Sequence, residues 1–194
     1  VIVAAGVSPV QASTQRVLEV DLAGTAYVLE EFGQVIAPGG SGIVVASMAG
    51  HMGDGYPKST EHALAYTPAV ELLKLAELAP DTVGDSGAAY TLAKRANALR
   101  VQAAAVAWGA RGARVNCLSP GIISTPLAQD EMSGPNAAGY ASMIQTSAAG
   151  RMGTPVEIGE IAAFLLGSEG SFITGSDLLS GGRVTAAMRA GQLG

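Results

Sequence analysis

The sequence predicts an α/β protein built on a parallel sheet with helices on both faces. Three observations predict it. Short apolar runs, continuous at 1–5 and 43–46 and broken by Asn116 at 115–118, are what strands buried on both faces require. Longer segments of helical period alternate with them. Gly- and Pro-rich joints such as Pro38-Gly39-Gly40 and Ser119-Pro120-Gly121 separate the two kinds of segment.

The elements follow in order. The chain opens on Val-Ile-Val-Ala-Ala closed by Gly6, a buried strand already under way. Residues 13–36 read as a helix, with Ser13 or Thr14 as N-cap and apolar positions at Val17, Val20, Leu22, Val28 and Leu29. The run at 43–46 is the second strand. Thr67 as N-cap and Pro68 as the first helical residue predict a helix to about Ala79, stopped by Pro80. Its only charged residues, Glu71, Lys74 and Glu77, form a narrow stripe, so something should cover the rest. Asp85 or Ser86 caps a long Ala-rich helix to about Trp108, ended by Gly109 and Gly112. The third strand, 115–118, leads through Ser119-Pro120-Gly121 into a stretch, 124–150, that reads as flexible. Thr154-Pro155 opens another capped helix to Leu166, and 177–179 is a last short strand before Gly181-Gly182. No repeat or linker divides the chain. Residues 1–194 read as a single domain with a helical insertion at about 48–85.

Composition narrows the function. Apolar residues make up 48% of the chain and charged residues 14%, too apolar for a disordered segment. No apolar run approaches the ~18 residues of a membrane span, so no membrane is expected. The net charge is −5 and the 11 Lys and Arg are scattered, which argues against nucleic acid as a partner. Cys117 is the single cysteine. An intrachain disulfide is impossible, and a cytoplasmic location fits. Two His and one Cys make no metal motif.

The chemistry-bearing residues gather around the strand ends. Tyr90 and Lys94 stand four apart on the long helix, on one face and about 5–6 Å apart at Cβ. An ammonium beside a phenol favours the phenolate, so such a pair can pass a proton to or from a substrate oxygen. Alone, it is equally an exposed tyrosine beside a solvated lysine. Ser47 ends the second strand, where open parallel sheets bind ligands, and its hydroxyl could donate to a developing oxyanion. Taken by itself it is more simply a turn serine. It is no nucleophile elbow, for Val45-Ala46-Ser47-Met48-Ala49 lacks the flanking glycines. Gly39-Gly40-Ser41-Gly42 is no phosphate loop, because it precedes a strand instead of following one.

Together these residues resemble the short-chain dehydrogenase/reductase family. The order matches over nearly the whole chain: Ala5-Gly6, then Val20-Asp21-Leu22-Ala23-Gly24-Thr25, Ser47, Tyr90-Thr91-Leu92-Ala93-Lys94, Asn116-Cys117-Leu118-Ser119-Pro120-Gly121-Ile122-Ile123-Ser124-Thr125, and Ile173-Thr174-Gly175 with Gly181-Gly182. The resemblance implies a doubly wound, Rossmann-like fold lacking here its first strands and glycine-rich turn. It implies an NAD- or NADP-dependent oxidoreductase with Tyr90 as acid/base, Lys94 holding the nicotinamide ribose and Ser47 orienting the substrate oxygen. Pro120, Gly121, Ile123 and Thr125 are implied to contact the nicotinamide amide and phosphates, and Ala5 and Gly6 the adenosine side.

Two departures stand out. Asp21 replaces the asparagine that helps hold a relay water in the family, and an ionised Asp only accepts hydrogen bonds. The connection from Ser47 to Tyr90 is much longer than in most members. Bacterial 3α-hydroxysteroid dehydrogenase/carbonyl reductases share such an insertion, and they resemble this chain also at Ala107-Trp108-Gly109 and Ala187-Met188-Arg189. The implied substrate is a small hydrophobic ketone or secondary alcohol. A 3-oxoacyl thioester reductase and a non-catalytic binding relative are the alternatives. The apolar face of Val70, Leu72, Leu73, Leu75 and Leu78 is expected to meet a second subunit in a homodimer.

Overall fold

The structure is a computed structural model and describes residues 1–134 and 136–193. Four strands, β1 (Ile2–Val3), β2 (Ser41–Val45), β3 (Arg114–Pro120) and β4 (Asp177–Ser180), form one sheet in the order β1-β2-β3-β4. Every pairing is parallel, with Val44 opposite Val3 and Cys117, and Leu118 opposite Val45 and Leu178.

Side-chain alternation along the strands divides the core between two faces. Val44, Ala46, Val115 and Cys117 pack with Leu29, Val101 and Trp108. Those last three come from α2 (Thr25–Val35) and α6 (Ser86–Ala110). Ile43, Val45, Leu118 and Leu178 pack with Ile158, Ile161 and Leu165 of α9 (Pro155–Leu166). Helices on both faces of a parallel sheet make the doubly wound fold that the sequence predicts.

The helix expected over 13–36 is continuous but not uniform. It runs as α1 (Thr14–Val17), a π-helical segment Leu18–Gly24, and α2. Ser13 is the cap, accepting from the Arg16 N–H. Asp85 caps α6, accepting from the Ala88 N–H at 2.8 Å. Thr154 and Glu157 close a full capping box on α9.

The insertion departs from expectation. After α3 (Lys58–Tyr66), the helix expected from Thr67-Pro68 to Ala79 is a single turn, α4 (Ala69–Leu72). Pro68 is itself the N-cap, Leu75 is extended, and Ala76–Leu78 form a 3-10 turn before α5 (Pro80–Val83). Leu72 and Leu78 are both buried in one cluster with Leu64, Leu22 and Leu92. On a continuous helix those two leucines would point roughly 120° apart, so breaking it lets both reach the core. The apolar face expected to meet another subunit is therefore largely satisfied within its own. Only Val70 and Leu73 stay exposed, at 61% and 36%.

Residues 124–150, expected to be flexible, contain helices. They hold α7 (Pro126–Met132) and α8 (Ala137–Thr146), and α10 (Val184–Arg189) follows β4. Thr125 caps α7 with Pro126 at its first turn, the same signature that was legible at Thr154-Pro155.

Candidate active site

Ser47 follows β2 and caps the 3-10 turn Met48–His51, its Oγ accepting from the Ala49 N–H at 3.1 Å. Two contacts fix this turn. A Cβ on Gly50 would stand 2.7 Å from the Arg95 nitrogen and the Lys94 carbonyl carbon, so only glycine lets the turn lie on α6. On its other side, His51 Nε2 and Asp177 Oδ2 are 2.8 Å apart, and Ser119 Oγ donates to Asp177 Oδ1 at 2.7 Å. The turn after Ser47 is thus clasped between α6 and β4.

Tyr90 and Lys94 share a face of α6, with the Lys94 ammonium 5.1 Å from the Tyr90 ring centroid, within cation–π range. Lys94 is buried and Asp21 is fully buried, with Nζ 2.9 Å from Oδ1. The contact is an ion pair without hydrogen-bond alignment. Asp21 Oδ2 accepts from the Val7 N–H at 3.1 Å. Its backbone carbonyl is occupied as well, accepting from Asn97 Nδ2 at 3.0 Å and Thr25 Oγ1 at 2.9 Å. Asp21 lies within the π-helical segment, a distortion frequent at functional sites. It holds Lys94 by direct charge contact, where the resemblance implied a relay through water.

Ser47, Tyr90, Pro120, Gly121, Ile123 and Thr125 line one cavity of about 350 Å³. Lys94, Asp21, Ala5 and Gly6 do not line it. They lie behind Tyr90 toward β1, where a Cβ on Gly6 would come within 2.7 Å of Asp21 Oδ1 and 3.6 Å of Lys94 Nζ. Ala5 and Gly6 are exposed. A second cavity of about 250 Å³, beyond Gly121 and Ile123, contains none of the four proposed catalytic residues.

The sequence reading missed the far wall of the first cavity. Glu131 of α7, and Asn136 and Tyr140 at α8, line it together with Ser47 and Tyr90. Ser8, fully buried, donates to Glu131 Oε1 at 2.8 Å, and Gln11 Nε2 donates to Asp130 Oδ2 at 2.7 Å. These bonds tie α7 to the loop after β1. Burial first, then the charge of Glu131 and a hydrogen bond to it, and then nearby Tyr90, push the Tyr140 phenol up to about 12. The Thr125-Pro126 capping signal could have revealed α7, but nothing in the sequence aims Glu131 inward. Cys117 is buried in the core, and burial pushes its thiol up, so it is no nucleophile.

A parallel doubly wound sheet with a Ser, a Tyr and a Lys gathered at its strand ends defines a class of oxidoreductase fold, and the comparisons agree. Residues 64–182 match the family model described as enoyl-(acyl carrier protein) reductase. The short-chain dehydrogenase/reductase bsc3 of Alternaria brassicicola is 39% identical over 96% of this chain and 68% of its own length. The cyclohexanol dehydrogenase of Acinetobacter sp. (strain SE19) is 34% identical over 50% of this chain and 36% of that relative. Among solved structures, the 3-alpha-hydroxysteroid dehydrogenase from Pseudomonas sp. B-0831 complexed with NADH superimposes with a TM-score of 0.80 at 30% identity, covering 97% of this chain and 73% of that one. This chain belongs to the short-chain dehydrogenase/reductase family.

Proposed function

We propose that the protein interconverts a small hydrophobic ketone and its secondary alcohol with NAD or NADP, using Tyr90 as proton donor and acceptor. The observation that carries this reading is the convergence of Ser47 and Tyr90 on one cavity, with the Lys94 ammonium against the Tyr90 ring.

The residues present fit the dinucleotide. Among the described residues Asp21 is the single ion-pair partner of Lys94, and an ammonium has three donors, so others remain for ribose hydroxyls. The exposed Ala5–Gly6 rim lies beside it. Pro120, Gly121, Ile123 and Thr125 would meet the nicotinamide end. When bound, the dinucleotide supplies or accepts the hydride. The Ser47 oxygen is fixed by the Ala49 N–H, which leaves its O–H to donate to the substrate oxygen. Tyr90 gives that oxygen its proton in reduction and takes it back in oxidation, an effect of ~10²–10⁴ in rate. Asp21 is a positioning residue that acts through Lys94.

Tyr90→Phe should remove nearly all turnover in a nicotinamide absorbance assay with cycloalkanols and cycloalkanones, while nicotinamide affinity is retained. A variant that keeps more than about a tenth of the rate would overturn a proton-transfer role of the usual size. A 3-oxoacyl thioester belongs in the same assay, since the matching family model carries an acyl-carrier description.

Two coarser inferences accompany this reading. We infer a homodimer from the exposed Val35, Val70 and Val106 of α2, α4 and α6, and a single-subunit mass by light scattering would refute it. We infer a cytoplasmic location from the lone, buried Cys117, which cell fractionation checks. None of the described helices is long and apolar enough to cross a membrane.

A further inference from the structure

Three side chains near Ser47 have no part in the chemistry described above. His51, Asp177 and Ser119 form one bonded cluster where the Met48–His51 turn meets the sheet. Ser119 is buried, and the side chains of His51 and Asp177 are only 17% and 10% exposed. Asp177 Oδ1 accepts from the Ser119 hydroxyl at 2.7 Å, and Oδ2 stands 2.8 Å from His51 Nε2. An ionised carboxylate only accepts, so the proton of that second contact sits on His51 Nε2. Ser119 and Asp177 belong to the neighbouring strands β3 and β4, and His51 is therefore anchored on the sheet itself. The anchor reaches Ser47 through the turn. The Ala49 N–H donates to Ser47 Oγ at 3.1 Å, and the Gly50 N–H donates to the Ser47 carbonyl at 3.1 Å. A short 3-10 turn has poor hydrogen-bond geometry of its own, so it needs holding from outside. The close packing of Gly50 stops it moving into α6. The His51 bond keeps it from lifting away. A further bond, from Arg189 Nη2 to the His51 carbonyl, is longer at 3.3 Å and exposed.

We propose that His51 is a positioning residue for the reaction: its bond to Asp177 holds the Met48–His51 turn down on α6 and so sets where the Ser47 hydroxyl stands relative to Tyr90. The inference rests on the ketone–alcohol reading above and adds a residue to that same site. His51 does not line the cavity, so it acts through Ser47 and not on the substrate. The Ser47 bond to the substrate oxygen strengthens as that oxygen gains negative charge, so a misplaced hydroxyl lowers kcat more than it raises KM. A displacement of about 1 Å can lower a rate about 10²-fold, and loss of the clasp should lower kcat by about 10- to 100-fold.

The test reads the position of Ser47 without turnover as well as through it. The Ala49 N–H is bonded to Ser47 Oγ, so its hydrogen exchange, followed by NMR, reports that hydroxyl directly. A glutamine side chain carries its amide nitrogen about as far out as imidazole Nε2 and can donate to Asp177, while asparagine falls short. Exchange at Ala49 and Gly50 should therefore quicken in His51→Ala and His51→Asn and stay near the wild type in His51→Gln. The kcat values should follow the same order, with KM much less changed. Should His51→Ala fail to fold by circular dichroism, the Asn and Gln variants decide alone. The double variant Ser47→Ala with His51→Ala should be no slower than Ser47→Ala by itself, because the two residues act as a unit. Unchanged Ala49 exchange in His51→Ala and His51→Asn would overturn the proposal. So would a Gln variant as impaired as Ala, or an additive loss in the double variant, since each marks His51 as general support for the fold. Turnover retained in Tyr90→Phe would sink the catalytic assignment of Tyr90, and the exchange at Ala49 would still decide the role of His51.

Discussion

The two walls of the cavity are built on opposite terms. The inner wall is α6, backed by the long helix over 14–35. α6 buries ten residues, Lys94, Asn97 and Arg100 among them, and these three polar side chains reach across to Asp21, Glu30, Leu64 and Thr67. The outer wall is α7 and α8. α8 buries none of its residues and α7 buries only Ala128. Side-chain bonds hold this wall at its edges, Ser8 to Glu131 at one end and Arg151 to Glu157 beyond the other. On the proposed reading, the proton-transferring Tyr90 stands on the deeply packed wall, while the other wall, with few buried residues, is the one that can vary at little cost to the core.

The comparison breaks first at Asp21. Asp21→Ala would leave the buried Lys94 ammonium without its partner, and such losses are about 3–5 kcal/mol. The melting temperature should fall by many degrees, followed by circular dichroism. Asp21→Asn keeps an acceptor for the Val7 N–H and should lose distinctly less. A change of only a few tenths of a kcal/mol in both variants would show that the inner wall does not depend on this pair.

A smaller effect sharpens the other side. Gly139 lies inside α8 with open space around its absent Cβ. Gly139→Ala should therefore stabilise that helix by about 0.5–1 kcal/mol through backbone entropy alone. Hydrogen exchange should slow across 137–146 and stay unchanged in α6. Slowing in both would mean that the walls open as one unit.

The smallest effect concerns acid. The Arg151 guanidinium, with the Thr154 backbone and hydroxyl, holds the Glu157 carboxyl down at about 2, below its ordinary 4.5. A carboxyl lowered in the folded state contributes stability that is present above about 4.5 and lost as pH falls toward about 2. Both partners are solvent-exposed, so the contribution is small and salt-sensitive. Between those values the segment at 147–153 should become protease-sensitive before the inner wall does. Glu157→Gln should abolish that pH step, and an unchanged step would assign it to another group.

How much of this was legible depended on the range of the forces involved. The doubly wound sheet followed from local facts, since buried strands must be apolar throughout and caps must satisfy open N–H groups at helix starts. Thr154-Pro155 placed its helix start for that reason, and of the two caps open for the long helix, Asp85 or Ser86, it is Asp85 that caps it. Thr67-Pro68 carries the same signature and failed, because Leu72 and Leu78 gained more by both reaching the core than α4 gained by continuing. Residues 124–150 read as flexible because small and polar residues there make no apolar stripe, yet capping by Thr125 and docking through Ser8 suffice to order α7.

By itself the sequence determined the strand–helix alternation, the spacing of Tyr90 and Lys94 on one helix, and Ser47 at a strand end. Only the tertiary structure decided what those groups face. It buried Asp21 against Lys94, pressed Gly50 onto α6, clasped His51 to Asp177, and turned Glu131 into the cavity. The physical reason is distance along the chain. Helix period and capping act between residues a few positions apart, and the sequence displays them directly. A charge pair, a hydrogen bond or a cavity wall joins residues tens of positions apart, and it exists only once the core has brought them together.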